Sequence, residues 1–363
     1  MATSQLSTKQ LPALTGLRFI AVVMIFLFHS NTPAPTSYIH AVFQQFYLGV
    51  NVFFVLSGFL ICYNYGKEGE LNKQFLKKYY VNRVARIIPL YYILLTCTFI
   101  ILHFRRPDIV HLVGIYFLNL SFLNGFSSWY MFSGIYPAWS LTPEVTFYIL
   151  FPFIYLLIVT MNWWWQQVIF FWIVGLLLVL FFFYFPFRGF FDNIHFLLLT
   201  TFFGRCFEFF TGIWLAFRFR QWQAKQVATP PPAKRSIPYT VTGGCLSLMV
   251  IIIAALISPD KAVAQYPVGK VLSMFVFPVS VAVLLFGLIT EITWFSRLLS
   301  TSLFKVLGKS AYALFLIHGG FIADWLLSFL NLNLFLVFIS LVLLSILLYY
   351  LVERPLNNWL RIE

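Results

Sequence analysis

Leu17-Arg18-Phe19-Ile20-Ala21-Val22-Val23-Met24-Ile25-Phe26-Leu27-Phe28-His29 is an apolar run with an arginine at its start and a histidine at its end. Eleven positions separate the two polar residues. At 100° per residue this is about 20° past three full turns, so Arg18 and His29 leave the same face of a helix, roughly 16 Å apart along its axis. Keeping a cation and an imidazole aligned on an apolar helix is costly unless both face protein or water. Two bland accounts compete with a chemical one: Arg18 snorkels to a membrane interface, and His29 is a satisfied polar residue at the other.

The whole composition agrees that this run is a membrane helix. Of 363 residues, 61% are hydrophobic and only 10% are charged, far below the roughly 25% of soluble domains. The 45 Phe, 19 Tyr and 11 Trp suit lipid-facing surface and interfacial belts. A formal charge of +13 does not point to nucleic acid, because the cations are spread over particular loops instead of forming one patch. Cys62, Cys97, Cys206 and Cys245 lie in apolar segments without CxxC or metal-ligand spacing. Buried thiols are expected there, with no disulfide framework and no metal site. The first run also has the outline of a secretory signal, but Pro33 and Pro35 interrupt any small-residue cleavage site, so a retained first helix is expected.

An all-α fold follows, a polytopic bundle of about ten transmembrane helices. A span takes about 20 mostly apolar residues, and the candidates lie near 14–33, 45–63, 87–104, 141–160, 164–186, 198–217, 238–257, 267–290, 312–330 and 333–352. The stretch His111–Phe126 is shorter and interrupted by Asn119 and Asn124, which suggests a re-entrant or interfacial segment. With the N-terminus in the cytoplasm, seventeen of the 24 cations fall on the inner side and five in outer loops. An eleventh span would break that pattern, so both termini are expected in the cytoplasm. Pro230-Pro231-Pro232 marks a stiff connector in the basic loop 218–237. The sequence ends ten residues after Glu353, so a single membrane domain over 1–363 with no fused soluble domain is expected.

Ionisable residues inside the spans are few: Arg18, His29, Glu144, Arg205, Glu208, His318 and Asp324. Arg83 and Arg86, three apart at the start of the third span, share a helical face and suit phosphate oxygens, although on their own headgroup anchoring is the favoured account of them. Glu144 follows Pro143 in the first turn of the fourth span, where the helix dipole favours an anion. It enters from the side on which His29 ends, so it is a candidate to orient that imidazole. Arg205 and Glu208, also three apart, fit a mutually neutralising pair. His318 is expected to be a hydrogen-bonded core histidine. No HExxH, GxSxG, P-loop or GxGxxG motif is present.

Taken in order, these segments resemble the acyltransferase-3 family of integral membrane acyltransferases. The series comprises Arg18-x10-His29; Gly49 to Ile61; Arg83-x-x-Arg86 with Pro89 and Tyr91; Trp139-Ser140-Leu141 with Glu144 and Tyr148; Arg205, Glu208 and Gly212; Gly308-x-Ser310-x-Tyr312 with His318; and Glu353-Arg354-Pro355. One departure is Ala311 before Tyr312, where the family often has serine. The resemblance implies transfer of an acyl group, in the first instance acetyl, from acyl-CoA to a hydroxyl of a surface polysaccharide, lipid-linked sugar or related glycan. His29 would be the catalytic base, Glu144 a required acidic residue, and Arg18, Arg83 and Arg86 would bind acyl-CoA from the cytoplasmic side. Some longer members carry a periplasmic esterase-like domain. No metal and no nucleic acid is implied, and the expected setting is a bacterial cell membrane. The competing class is a transporter or flippase for a glycolipid or small solute, to which buried charges and a two-sided pathway are equally suited.

Overall fold

The computed structural model describes residues 11–30, 37–66, 72–105, 111–228, 238–329 and 333–362. The Pro230-Pro231-Pro232 connector, Pro33 and Pro35, and the cations Lys9, Lys67, Arg106, Lys234 and Arg235 lie outside the described residues. The fold is an all-α polytopic membrane bundle, with no β-sheet among the described residues; one isolated bridge joins Ser127 and Phe190. Nine helical stretches among them are long and apolar enough to cross a membrane, the first being Pro12–His29. The expected span 312–330 is broken. Ala311–Ile317 and Phe321–Ser328 meet at a bend of 68°.

The chain divides into two compact units. The first takes residues 1–24, 33–67 and 211–309. Its helices pack closely where side chains vanish. A Cβ added at Gly212 would lie 2.1 Å from the carbonyl oxygen of Val55 in the Gly49–Tyr65 helix, so that backbone approach requires glycine. Polar side chains here close onto backbone. Gln45 donates to the carbonyls of Ser258 (2.9 Å) and Lys261 (3.0 Å) and accepts from Val263 N–H (2.8 Å). Asn51 donates to the Ser273 carbonyl at 2.7 Å. Each bond satisfies a group that would be expensive to leave bare in an apolar interior.

The second unit takes residues 25–32, 68–210 and 310–363. Its axis is the Lys73–Arg105 helix, 33 residues long with Pro89 inside it. Tyrosines along this helix donate to neighbouring backbone: Tyr79 to Tyr148 O (2.9 Å), Tyr91 to Asn119 O (3.1 Å) and Tyr92 to Leu120 O (2.8 Å). Leu112–Leu120 is a helix of nine residues, about 13 Å long and too short to cross a hydrocarbon core of about 30 Å. It runs antiparallel along the later half of Lys73–Arg105, with Tyr116 against Phe99 and Leu120 against Tyr92. This segment therefore descends part-way beside its neighbour, in keeping with the interrupted apolar pattern of 111–126. Turns and two short 3-10 helices follow before Leu141–Met161 begins.

Arg205 and Glu208 form a buried ion pair, with Arg205 Nη2 2.9 Å from Glu208 Oε1 and Nε 3.0 Å from Oε2. This is the pairing that their i,i+3 spacing predicts. All four cysteines are free; Cys62 and Cys206 are buried, whereas Cys97 and Cys245 are exposed. The expectation that all four would be buried is thereby corrected. An apolar span has one face on its neighbours and another on lipid, and hydrophobicity alone does not tell them apart.

Candidate active site

His29 is the last residue of the Pro12–His29 helix and belongs to the second unit. Its Nδ1 lies 3.0 Å from Nε2 of His318. His318 Nδ1 lies 2.7 Å from the carbonyl oxygen of Phe315. The ring of Tyr136 meets the His29 ring edge-on, at 5.4 Å between centroids and 83° between planes. Three chain segments far apart in sequence thus converge on one imidazole.

The bend in the broken span accounts for where His318 stands. Ala311–Ile317 ends at His318, and Gly320 follows with φ +105°, a conformation that side chains with a Cβ rarely adopt. A Cβ on Gly319 would touch Pro137 at 3.4 Å and Tyr136 at 3.6 Å. Gly320 therefore turns the chain, and Gly319 lies in ordinary contact with the Tyr136–Ser140 turn, the segment that brings Tyr136 to His29. A cavity of about 240 Å³ adjoins the bend, walled by Leu94, Thr98, Gly134, Ile317, Gly320 and Phe321 among others.

A second polar cluster forms around Tyr148. Its hydroxyl donates to Glu144 Oε1, one turn earlier on Leu141–Met161. Arg83 Cζ sits 5.7 Å from the Tyr148 ring centroid, in cation–π range. Arg86 also acts electrostatically on Tyr148. Tyr312, two residues after Ser310, donates to Ile87 O at 2.9 Å and feels the charges of Glu353 and Glu144. Glu353 and Arg86 in turn both act on Tyr349. Two arginines, two carboxylates and several tyrosines thus share one region of the second unit.

The expected site residues are distributed as follows. Arg83, Arg86 and Glu144 come together around Tyr148. His29 takes His318, not Glu144, as its hydrogen-bond partner. Arg18 is half-buried on the same helix as His29 and belongs to the first unit. His318 and Tyr136 are the site residues that sequence reasoning misses. His318 does carry a signal, as a histidine inside an apolar span, but a lone histidine on an apolar helix gives no clue to its partner. Among the described residues, no group of three or more His, Cys, Asp or Glu is placed to hold a metal ion.

The chain is 29% identical over 176 residues to the peptidoglycan O-acetyltransferase OatA of Listeria monocytogenes, covering 44% of this chain and 26% of that protein. It is 26% identical over 335 residues to a Staphylococcus aureus protein named "Putative O-acetyltransferase SACOL0978", covering 85% of this chain and 50% of that one. The chain thus spans half or less of the length of these relatives. No solved structure matches it. A family model described as an acyltransferase domain matches residues 11–354, from the turn before Arg18 through to Arg354. The chain belongs to the acyltransferase-3 family.

Proposed function

We propose that the protein is a membrane O-acyltransferase that moves an acyl group, acetyl in the first instance, from acyl-CoA to a hydroxyl of a cell-surface glycan. The observation that carries this reading is the position of His29: within a chain matched to an acyltransferase domain over 11–354, its imidazole is held by His318 and Tyr136. The names of the relatives, which specify O-acetyl transfer and, for OatA, peptidoglycan, favour acetyl and a wall glycan.

The chemistry asks little of the protein beyond a base and a place for each substrate. In the proposed step, His29 takes the proton of the acceptor hydroxyl as its oxygen attacks the thioester carbonyl. The tetrahedral intermediate collapses, the C–S bond breaks, and the CoA thiolate takes the proton back from His29. An ester and CoA leave. Arg83 and Arg86 are proposed to bind the donor's phosphates, since guanidinium forks pair with phosphate oxygens in two-pronged fashion. The Tyr148 ring under Arg83, and the Glu144 carboxylate bonded to the Tyr148 hydroxyl, support a shared role on the donor side. Glu144 is thereby assigned to the donor side, not to orienting His29. Arg18 is proposed as a further donor contact, on the same helical face as His29 and roughly 16 Å along the axis from it. Both termini are proposed to be cytoplasmic, in a bacterial cell membrane, on the positive-inside count.

Purified protein in lipid vesicles, supplied with acetyl-CoA and solubilised peptidoglycan fragments, should release CoA thiol and acetylate the sugar. His29→Ala should abolish both. Movement of a glycan or solute across the vesicle membrane without thiol release would favour the transporter reading and overturn this one.

A further inference from the structure

The hydrogen-bond chain through the two histidines runs in one direction only. A carbonyl oxygen can only accept, so the 2.7 Å contact with Phe315 O puts a hydrogen on His318 Nδ1. With that ring neutral, His318 Nε2 is bare and accepts. The hydrogen in the 3.0 Å contact therefore sits on His29 Nδ1. One nitrogen is then left with a lone pair for chemistry, His29 Nε2.

We infer that His318 is a positioning residue: through the Phe315 carbonyl it fixes the tautomer of His29 so that Nε2 is the base, and it holds the imidazolium that forms when the acceptor proton arrives. This rests on the reading of His29 as the base of acyl transfer. The logic parallels the orienting group of other catalytic histidines, with a second imidazole in place of a carboxylate. A neutral partner suits this location. A carboxylate aimed at His29 would bring a charge into an apolar interior, whereas a neutral imidazole adds none, and His318 is buried with both ring nitrogens bonded. The bend supports the same assignment. Gly320 lets the chain turn immediately after His318, and Gly319 packs it onto the Tyr136 turn that also touches His29.

Four enzymes, wild type, His29→Ala, His318→Leu and His318→Gln, should be compared for acetyl-CoA turnover with peptidoglycan fragments. His318→Leu should lower kcat by about 100-fold or more, as expected when the base loses its orienting partner, with KM for acetyl-CoA within about threefold. Gln can place an amide oxygen near the position of Nε2, so His318→Gln should recover at least about a tenth of the wild-type kcat. Equal losses in Leu and Gln, or a loss confined to KM, would overturn the assignment. A dead His29→Ala beside an active His318→Leu would defeat the positioning role and leave the base intact; an active His29→Ala would defeat the base itself. A second measurement is independent of any acceptor. In protein labelled with 15N-histidine, with signals assigned by difference against His29→Ala and His318→Leu, both rings should carry hydrogen at Nδ1 and a bare Nε2. A hydrogen on His29 Nε2 with Nδ1 bare would overturn the inference.

Discussion

Around His29 the second unit gathers rings: His318, Tyr136 and, within the pair's own neighbourhood, Phe28 and Phe315. Around Tyr148 it gathers charges: Arg83, Arg86 and Glu144. The two regions lie along the same Lys73–Arg105 helix, since Tyr312 bonds Ile87 near the charged cluster and the cavity beside the His318 bend is walled by Leu94 and Thr98 further on. Their contrast fits the two tasks proposed for them. Proton transfer is served by groups that change charge only while reacting, and the low-dielectric setting sharpens their geometry. Holding a polyanion is served by permanent charges whose own partners keep them in place.

The contrast can be broken by experiment, the largest effects first. His29→Ala should lower kcat by about 10²–10⁴-fold, the span expected for loss of a general base, while acyl-CoA binding measured by calorimetry stays within a few-fold. If affinity collapsed with turnover, the two regions would not be separate in function. Glu208→Ala supplies an outside reference, because Arg205 and Glu208 are buried partners at 2.9 Å. Removing one should cost about 3–5 kcal/mol of stability, read by thermal unfolding in detergent, and leave the KM of surviving enzyme unchanged.

Arg83→Ala and Arg86→Ala should each raise KM for acyl-CoA by about 10- to 150-fold, in keeping with about 1.5–3 kcal/mol for a hydrogen bond to a charged group, with smaller changes in kcat. An unchanged KM would assign the arginines to lipid headgroups instead. Tyr148→Phe keeps the ring under Arg83 and removes only the hydroxyl that donates to Glu144. Its expected effect is the smallest, about 1 kcal/mol, seen as a KM shift of a few-fold. A larger effect on kcat than on KM would place Tyr148 with the His29 region and redraw the comparison.

The arginine region is legible in the sequence because its signal is local. Arg83 and Arg86 are three apart, as are Arg205 and Glu208, and helical periodicity alone aligns such pairs. Glu144 stands out as well, but its neighbour does not, because the choice between Tyr148 one turn away and a histidine on another helix depends on how the helices pack. The short helix 112–120 is legible as an exception from the two asparagines of its apolar stretch; Asn119 is buried and donates to Ser133 at 2.9 Å.

What the sequence by itself determined is the membrane class, the spans and the face shared by Arg18 and His29, since hydrophobic length and helical period are properties of consecutive residues. Only the tertiary structure decided what His29 touches. Its partner lies 289 positions away, on a span that looks continuous in composition but is bent by 68° at two glycines. The Gly319-Gly320 pair marks the bend locally, but the pairing is not encoded in any local pattern. Both arise where three packed segments must satisfy one another's polar groups in an interior that offers no water to do it for them.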